Sequence, residues 1–186
     1  MNWDGMGIAV AGTPVSGKDT SAELLSKMTG LPLIKGSLRL FAKDTGLDIL
    51  DFEKEYSQEQ DKWDRKLDEW QSKQVEQHKK TGYVLVSMLA AKNAPKSHVK
   101  VWLYCGLNER SKRVSKRDNI PLSMAEGYVS ERDKTFLARM KKLYNINPWS
   151  LDMYDLVINT EFWNPEQVVS LIVAAMKERR EKHESI

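Results

Sequence analysis

The fold is decided by one stretch of the sequence, Gly12-Thr13-Pro14-Val15-Ser16-Gly17-Lys18-Asp19-Thr20. This stretch follows an apolar run at residues 6–11 and precedes an amphipathic segment at residues 18–28. A glycine-rich turn between a strand and a helix directs successive backbone N–H groups inward, where they and the helix N-terminus bind an anion. The sequence therefore predicts a phosphate-binding loop that all nine residues form.

Two side chains of this loop are candidates for further roles. Lys18 is long enough to reach the β- and γ-phosphates of ATP, so we expect it to be catalytic. The usual motif has Ser or Thr directly after the lysine, where the hydroxyl binds magnesium, but here Asp19 has that place. We expect Thr20 to be the metal ligand, although one step along a helix turns a side chain by about 100°. Asp19 either faces the metal or compensates the positive end of the helix.

The rest of the chain alternates short apolar runs with longer amphipathic segments. This alternation is typical of an α/β fold in which helices flank a parallel sheet, and the loop at residues 12–20 makes it a P-loop fold. We expect strands at residues 6–11, 33–35, 83–87, 99–104 and 155–159. The prediction is a single domain, residues 1–186, with a helical insert at 36–80 and a helical lid at 110–140.

Three helical features are predicted within this frame. Ser57-Gln-Glu-Gln60 fits a capping box, with Ser57 as the N-cap of a helix. Asn164-Pro-Glu-Gln167 is a second helix start, with an N-cap asparagine and proline at the first helical position. Trp63, Leu67 and Trp70 form an apolar stripe, which indicates core packing or a cleft wall rather than base stacking.

Composition limits the classes of function. The 186 residues are 41% hydrophobic and 30% charged, and the net charge of +3 is too small to require a nucleic acid partner. No apolar run approaches the roughly 20 residues that cross a membrane. The single cysteine, Cys105, fits a reducing compartment and lies in an apolar run, as a plain buried thiol would. We expect a cytoplasmic monomer whose partners are small-molecule nucleotides, not nucleic acid or membrane.

Basic residues concentrate in the predicted lid. Arg110, Arg113 and Arg117 share one helical face, and Arg132 and Arg139 share another. Two arginine-bearing helices that close on a triphosphate donate bidentate hydrogen bonds to the transferring charge. The alternative is a solvated helical hairpin. Of the five, we predict that Arg132 and Arg139 are catalytic.

The helical insert is rich in acidic residues. Arg39 lies near its start, and its last helix carries Asp61, Asp64, Arg65, Asp68 and Gln71. These side chains are able to bind the base and ribose of an acceptor, while Arg39 holds its phosphate. The alternative is an exposed helix with ion pairs between residues four apart. We predict that Arg39, Asp61, Asp64 and Arg65 bind the acceptor substrate.

Over about residues 6–176 the sequence resembles the cytidylate kinases of the short, archaeal type. The resemblance is carried by the loop at 12–20, by the stretch 52–71 that ends in Asp64-Arg65-Lys-Leu-Asp68-Glu-Trp-Gln71, by Val101-Trp-Leu103 with Arg110, Arg113 and Arg117, by Glu131-Arg132, and by residues 139–146 and 150–160. The last segment, Ser150-Leu-Asp-Met-Tyr-Asp-Leu-Val-Ile-Asn-Thr160, is the most specific to that family.

The resemblance implies an α/β fold of the P-loop NTPase type, a doubly wound parallel sheet with a helical monophosphate-binding insert and a short helical lid. It also implies transfer of the γ-phosphoryl group of ATP to CMP or dCMP with magnesium. It places Arg39 at the acceptor phosphate and Asp61, Asp64 and Arg65 in the acceptor region. It makes Arg132 and Arg139 lid and transition-state arginines, and the loop after Thr160 passes near the adenine. It assigns the ATP cradle to Gly12, Ser16, Gly17, Lys18 and Thr20.

The sequence departs from that family at the end of the third predicted strand. Members typically carry Glu-Gly-Arg there, but this chain has Val86-Ser87-Met88. The departure leaves two further readings open. One is a nucleotide-binding or partner-binding descendant with weakened catalysis, and the other is a P-loop kinase for another small acceptor.

Overall fold

The computed structural model describes residues 2–44, 46 and 48–184, without the side chains of residues 39, 49–51, 53, 54 and 181–184. Its centre is a sheet of five parallel strands in the order β2-β3-β1-β4-β5. The strands are β1 (Gly7–Gly12), β2 (Leu33–Lys35), β3 (Tyr83–Val86), β4 (Val99–Tyr104) and β5 (Leu156–Asn159).

Helices connect the strands and cover both faces of the sheet, as parallel strands require. Three helices lie between β2 and β3, and two long antiparallel helices lie between β4 and β5. The helices are α1 (Lys18–Thr29), α2 (Leu38–Asp44), α3 (Ile49–Gln58), α4 (Gln60–Gln77), α5 (Ala90–Asn93), α6 (Leu107–Asp118), α7 (Leu122–Tyr144) and α8 (Pro165–Glu184), with a 3-10 turn at Leu151–Met153.

The first strand organises the core because it lies in the middle of the sheet. All six of its residues are buried. Ile8 and Val10 face α1 and α8, where Ile172 and Met176 pack with them, while the smaller Ala9 faces the opposite side. Each fully buried isoleucine or methionine side chain stabilises the fold by about 1.5–3 kcal/mol.

The sequence-based prediction of an all-parallel α/β fold is confirmed, and each strand lies within one residue of its expected bounds. The start of α8 is also confirmed. The N–H of Gln167 donates to Asn164 Oδ1 at 2.9 Å, and the N–H of Asn164 donates to Gln167 Oε1 at 3.0 Å. The start of α4 was predicted wrongly, because its N-cap is Glu59 and Ser57 lies in the last turn of α3. Helix α5 was not predicted.

The helical insert has a small aromatic core of its own. Trp63 packs edge-on against Phe52 and Phe41, with ring centroids 5.0 and 6.2 Å apart. Leu67 and Trp70 lie against the same cluster, so the predicted stripe is a packing surface. In the part of the chain that the structure describes, no helix combines the length and the apolar character needed to span a membrane.

Candidate active site

The loop between β1 and α1 owes its tight shape to two glycines. A Cβ at Gly12 would lie 2.4 Å from the carbonyl oxygen of Leu103, so no larger residue fits there. Gly17 has φ = 86°, a left-handed conformation that glycine adopts without steric cost, and it caps α1. The loop therefore ends on the positive end of α1, which favours an anion.

Carbonyl groups of the loop are held from behind by other parts of the chain. The guanidinium of Arg110 donates to Pro14 O at 3.3 Å, and that of Arg113 donates to Val15 O at 3.4 Å. The hydroxyl of Thr160 donates to Ser16 O at 2.7 Å. Because three successive carbonyls are bound on one side, the loop backbone is fixed before any ligand arrives.

The polar side chains of the loop fit a phosphate ligand. The hydroxyls of Thr13 and Ser16 are buried and have no hydrogen-bond partner among the described residues. Lys18 Nζ lies 2.8 Å from Asp19 Oδ2, so the carboxylate neutralises the ammonium group in this state. Since Asp19 is largely exposed, a bound phosphate would compete for Lys18 at low cost.

Magnesium would take few ligands from this chain. Thr20 is exposed on the first turn of α1 and offers a hydroxyl next to the loop. The described residues contain no group of three or more His, Cys, Asp or Glu side chains that could hold a metal ion. This donor set fits magnesium, which commonly keeps several waters and binds through phosphate oxygens.

Two arginines of α6, Arg110 and Arg113, are not free to bind a triphosphate, whereas Arg117 is exposed and pairs with the adjacent Asp118. Arg110 is buried, and its two Nη atoms donate to the carboxylate of Asp133 at 2.9 and 2.6 Å. Arg113 donates to Thr160 O at 2.8 Å as well as to the loop. Arg110 and Arg113 were expected to be either phosphate ligands or solvated residues. They are neither, because both guanidinium groups bind backbone carbonyls of the phosphate loop.

A cleft runs from the phosphate loop to the helical insert. Its first part, a cavity of about 460 Å³, lies between Pro14 and α7, and its second part, about 230 Å³, reaches Asp64 and Gln71 of α4. The two parts adjoin each other, since four side chains line both: Met88, Arg132, Phe136 and Arg139. The structure therefore brings both predicted catalytic arginines to the place where the two cavities meet.

On the acceptor side, Arg139 is held by the insert. Its Nε lies 3.1 Å from Asp64 Oδ2, and its Nη1 donates to the Tyr56 hydroxyl at 3.3 Å. The Tyr56 hydroxyl donates to Asp64 Oδ1 at 3.1 Å. Burial raises the pKa of the Asp64 carboxyl, and the positive charge of Arg139 opposes that rise. Arg132 is exposed and donates to the Tyr128 hydroxyl at 2.8 Å.

The other predicted acceptor residues are distributed differently. Asp61 pairs with Lys142 at 2.5 Å, and Arg65 donates to Leu143 O at 3.1 Å, so the structure brings neither into the cleft. Since Asp64 and Arg65 are adjacent on a helix, they point about 100° apart. Arg39 lies in α2, and its side chain is outside the described part of the structure. Asp68 and Gln71 lie on the same face of α4 as Asp64, and both line the cleft.

The end of β3 has no carboxylate, in agreement with the sequence. Val86 is fully buried in the core, while Ser87 accepts a hydrogen bond from the N–H of Leu89 at 3.2 Å. Met88 lines both parts of the cleft. An apolar side chain therefore lies where the two cavities meet.

Sequence reasoning missed three residues that shape this site. Tyr56 links Asp64 to Arg139, Asp133 pairs with Arg110, and Thr160 binds the loop. Thr160 belongs to the segment most specific to the family, which was a usable signal. Nothing in the local sequence marks Tyr56 or Asp133, because their partners are far along the chain.

Fold and cleft together define a P-loop kinase, that is, a phosphotransferase with a backbone-built phosphate site. The chain belongs to the cytidylate kinase-like family, whose family model matches residues 7–162. The predicted resemblance is thereby confirmed, and with it the class of nucleotide kinases.

Individual proteins agree with this assignment. A cytidylate kinase of Methanocaldococcus jannaschii is 33% identical over 175 residues, which cover 91% of this chain and 96% of that protein. One from Thermococcus kodakarensis is 33% identical over 171 residues, covering 91% and 86%. The solved shikimate kinase from Acinetobacter baumannii in complex with shikimate superposes with a TM-score of 0.62 at 14% identity, covering 95% and 96%. That likeness shows the fold alone.

Proposed function

We propose that the protein transfers the γ-phosphoryl group of ATP to a nucleoside monophosphate, with CMP or dCMP as the preferred acceptor. The observation that carries this proposal is the pair of adjoining cavities with Arg132 and Arg139 lining both. Cationic side chains at that point stabilise charge that develops between donor and acceptor. The relatives named cytidylate kinase support the choice of acceptor.

The roles of the residues follow from their positions. Backbone N–H groups of residues 12–20 and the ammonium of Lys18 hold the donor phosphates. Arg132 and Arg139 neutralise the oxygens of the transferring group, and Asp64 orients Arg139. Magnesium, held by the phosphates with Thr20 and water, supplies further neutralisation of phosphate charge. In-line transfer of this kind proceeds without a covalent intermediate on the protein.

A coupled assay for ADP release tests the proposal with CMP, dCMP, UMP and AMP as acceptors. We expect the highest kcat/KM with CMP or dCMP. If none of the four supports ADP release above the background without acceptor, the proposal is wrong.

A second acceptor class is favoured by Met88. This apolar side chain stands where relatives are expected to carry an arginine for the acceptor phosphate. Without that arginine a monophosphate loses an ion pair, whereas an uncharged nucleoside loses none. The same assay with cytidine and deoxycytidine separates the two candidates. A higher kcat/KM for the nucleosides than for their monophosphates would favour the second.

A further inference from the structure

We propose that Val15, Arg110 and Asp133 are positioning residues that fasten the phosphate loop to the α6–α7 hairpin. Through them the hairpin that carries Arg132 and Arg139 also sets the shape of the loop that binds the donor. This inference rests on the proposed donor role of the loop and concerns what gives the loop its shape.

The backbone of Val15 is the first observation. Its φ of 64° lies in the left-handed region, which is a genuine outlier for a β-branched residue. Glycine adopts this conformation freely, whereas Val15 does so against the contact between its Cβ and the backbone. Such a conformation persists only where the surroundings hold it. The loop is therefore under constraint from its neighbours.

The side chain of Val15 shows where that constraint comes from. It packs against a small apolar cluster made by Val114 of α6 and by Ala125 and Val129 of α7, all three of which are fully buried. The carbonyl of the same residue accepts the hydrogen bond from Arg113 of α6. Val15 thus anchors the loop in the apolar contact between α6 and α7.

The guanidinium of Arg110 supplies a second fastening one residue earlier. It binds Pro14 O, Cys105 O and both oxygens of Asp133, so one buried group joins the loop, the end of β4 and α7. A buried guanidinium needs a paired carboxylate, and a bidentate pair fixes orientation as well as distance.

Asp133 follows Arg132 directly in α7. A rotation of α7 that moves the cleft arginines therefore also moves the partner of Arg110. A loop preorganised in this way binds phosphate without first having to order itself, which raises affinity. If the hairpin releases the loop, the donor affinity should fall.

The decisive experiment measures ATP binding by calorimetry, without acceptor, for Val15→Gly and Val15→Ile. Glycine relieves the backbone and removes the anchor, so we expect the dissociation constant to rise about tenfold while the thermal midpoint does not fall. Isoleucine keeps the anchor and should bind within about twofold of wild type. Unchanged or tighter binding by Val15→Gly would overturn the proposal.

A second variant tests the polar fastening. Arg110→Lys keeps the charge but loses the fork, and it should raise the KM for ATP about tenfold while the acceptor KM changes less than about twofold. Combined with Val15→Gly, its effect should be smaller than the product of the single effects, because both act on one loop. Full additivity, or equal changes in both KM values, would contradict the proposal. Arg179→Lys serves as the matched control, because Arg179 of α8 also pairs with an aspartate, Asp155.

These measurements separate the two proposals. If wild type binds ATP but phosphorylates none of the acceptors, the proposed function fails while the Val15 variants still decide the inference. If Val15→Gly keeps both phosphoryl transfer and ATP affinity at wild-type levels, the function stands and the inference fails. If wild type does not bind ATP, both are wrong.

Discussion

The proposed donor side and the proposed acceptor side of the cleft are built from different parts of the polypeptide. On the donor side, the backbone of residues 12–20 makes the site, and side chains from elsewhere hold its carbonyls. On the acceptor side, the site is made of side chains, with Asp64, Tyr56 and Arg139 joined in one network. A backbone site needs only a few residues that permit its conformation, whereas a side-chain site changes with every substitution in it.

The comparison explains where this chain keeps and loses the family pattern. The glycines and Lys18 of the donor loop are intact, while the end of β3 has become Val86-Ser87-Met88. A backbone cradle still binds phosphate when its neighbours change. An acceptor pocket takes on the chemistry of each new side chain, which makes the acceptor the property most open to change.

The largest effect should come from Lys18→Ala. This variant removes the cation that follows the transferred group, so we expect kcat to fall on the order of 100- to 1,000-fold. The coupled assay measures it, and Lys79→Ala, an exposed lysine of an ion pair distant in sequence from the loop, serves as control. Turnover near the wild-type rate would mean that the donor side has been placed wrongly.

Arg139→Lys should have the next largest effect and should act mainly on kcat. Lysine keeps the charge but cannot contact Asp64, Tyr56 and a phosphate with one planar group. We expect kcat to fall on the order of 30- to 100-fold with little change in ATP affinity. A large loss of ATP affinity instead would assign Arg139 to the donor side and contradict the proposed division between the two sides.

Asp64→Asn should lower kcat/KM about tenfold at neutral pH and change its pH profile. Burial raises the pKa of Asp64, so on acidification the wild-type carboxylate becomes protonated at a higher pH than an ordinary aspartate. Arg139 then loses its negatively charged partner. The variant cannot titrate, so this acidic limb should disappear. An acidic limb identical in both proteins would show that Asp64 does not control Arg139.

The same shift has a consequence for stability, with a sign that follows from linkage. Since the native carboxyl holds its proton more tightly than the unfolded one, stability from Asp64 is fully present below the ordinary pKa of 3.8 and falls as pH rises through the raised value. Denaturant unfolding of wild type and Asp64→Asn across this range should diverge as pH rises. Parallel curves would contradict the raised pKa.

The smallest effect should come from Thr160→Val, which keeps the shape of the side chain but removes the hydroxyl. With it go the hydrogen bond to Ser16 O and the longer contacts with Tyr104 O and Arg113 Nη1. We expect the KM for ATP to rise about threefold to fivefold, in line with roughly 1 kcal/mol for one such bond. The acceptor KM should stay unchanged, since Thr160 binds the phosphate loop and does not line the acceptor side of the cleft. An equal rise in both would break the distinction between them.

Much of the fold could be read from the sequence because its signals are local. The glycine spacing around Lys18 gives the loop, buried apolar runs give the strands, and Asn164 caps α8 through a residue three positions away. The exception among the helices is instructive. Ser57 has the sequence of an N-cap, yet α3 continues through it, and Glu59 holds the N-cap position of α4 without a side-chain hydrogen bond. Packing of the aromatic cluster outweighs a cap here.

The site was less predictable because its contacts join residues far apart along the chain. Helical spacing placed Arg110 and Arg113 on one face, but spacing does not reveal that the phosphate loop lies against that face. Arg65 and Asp64 looked equivalent in sequence, and the rotation of α4 puts one of them in the cleft and the other outside. Charge patterns identify residues that need partners, and tertiary structure decides which partners they find.

The central position of β1 has a consequence for how the protein is made. Ile8 pairs with Val84 on one side and with Val99 on the other, so β1 is synthesised well before either of its neighbours in the sheet. At typical rates of synthesis, roughly 100 residues take on the order of 5–20 s. During that time the apolar residues of β1 lack their partners in the sheet, so folding of the core has to wait for synthesis of β3 and β4.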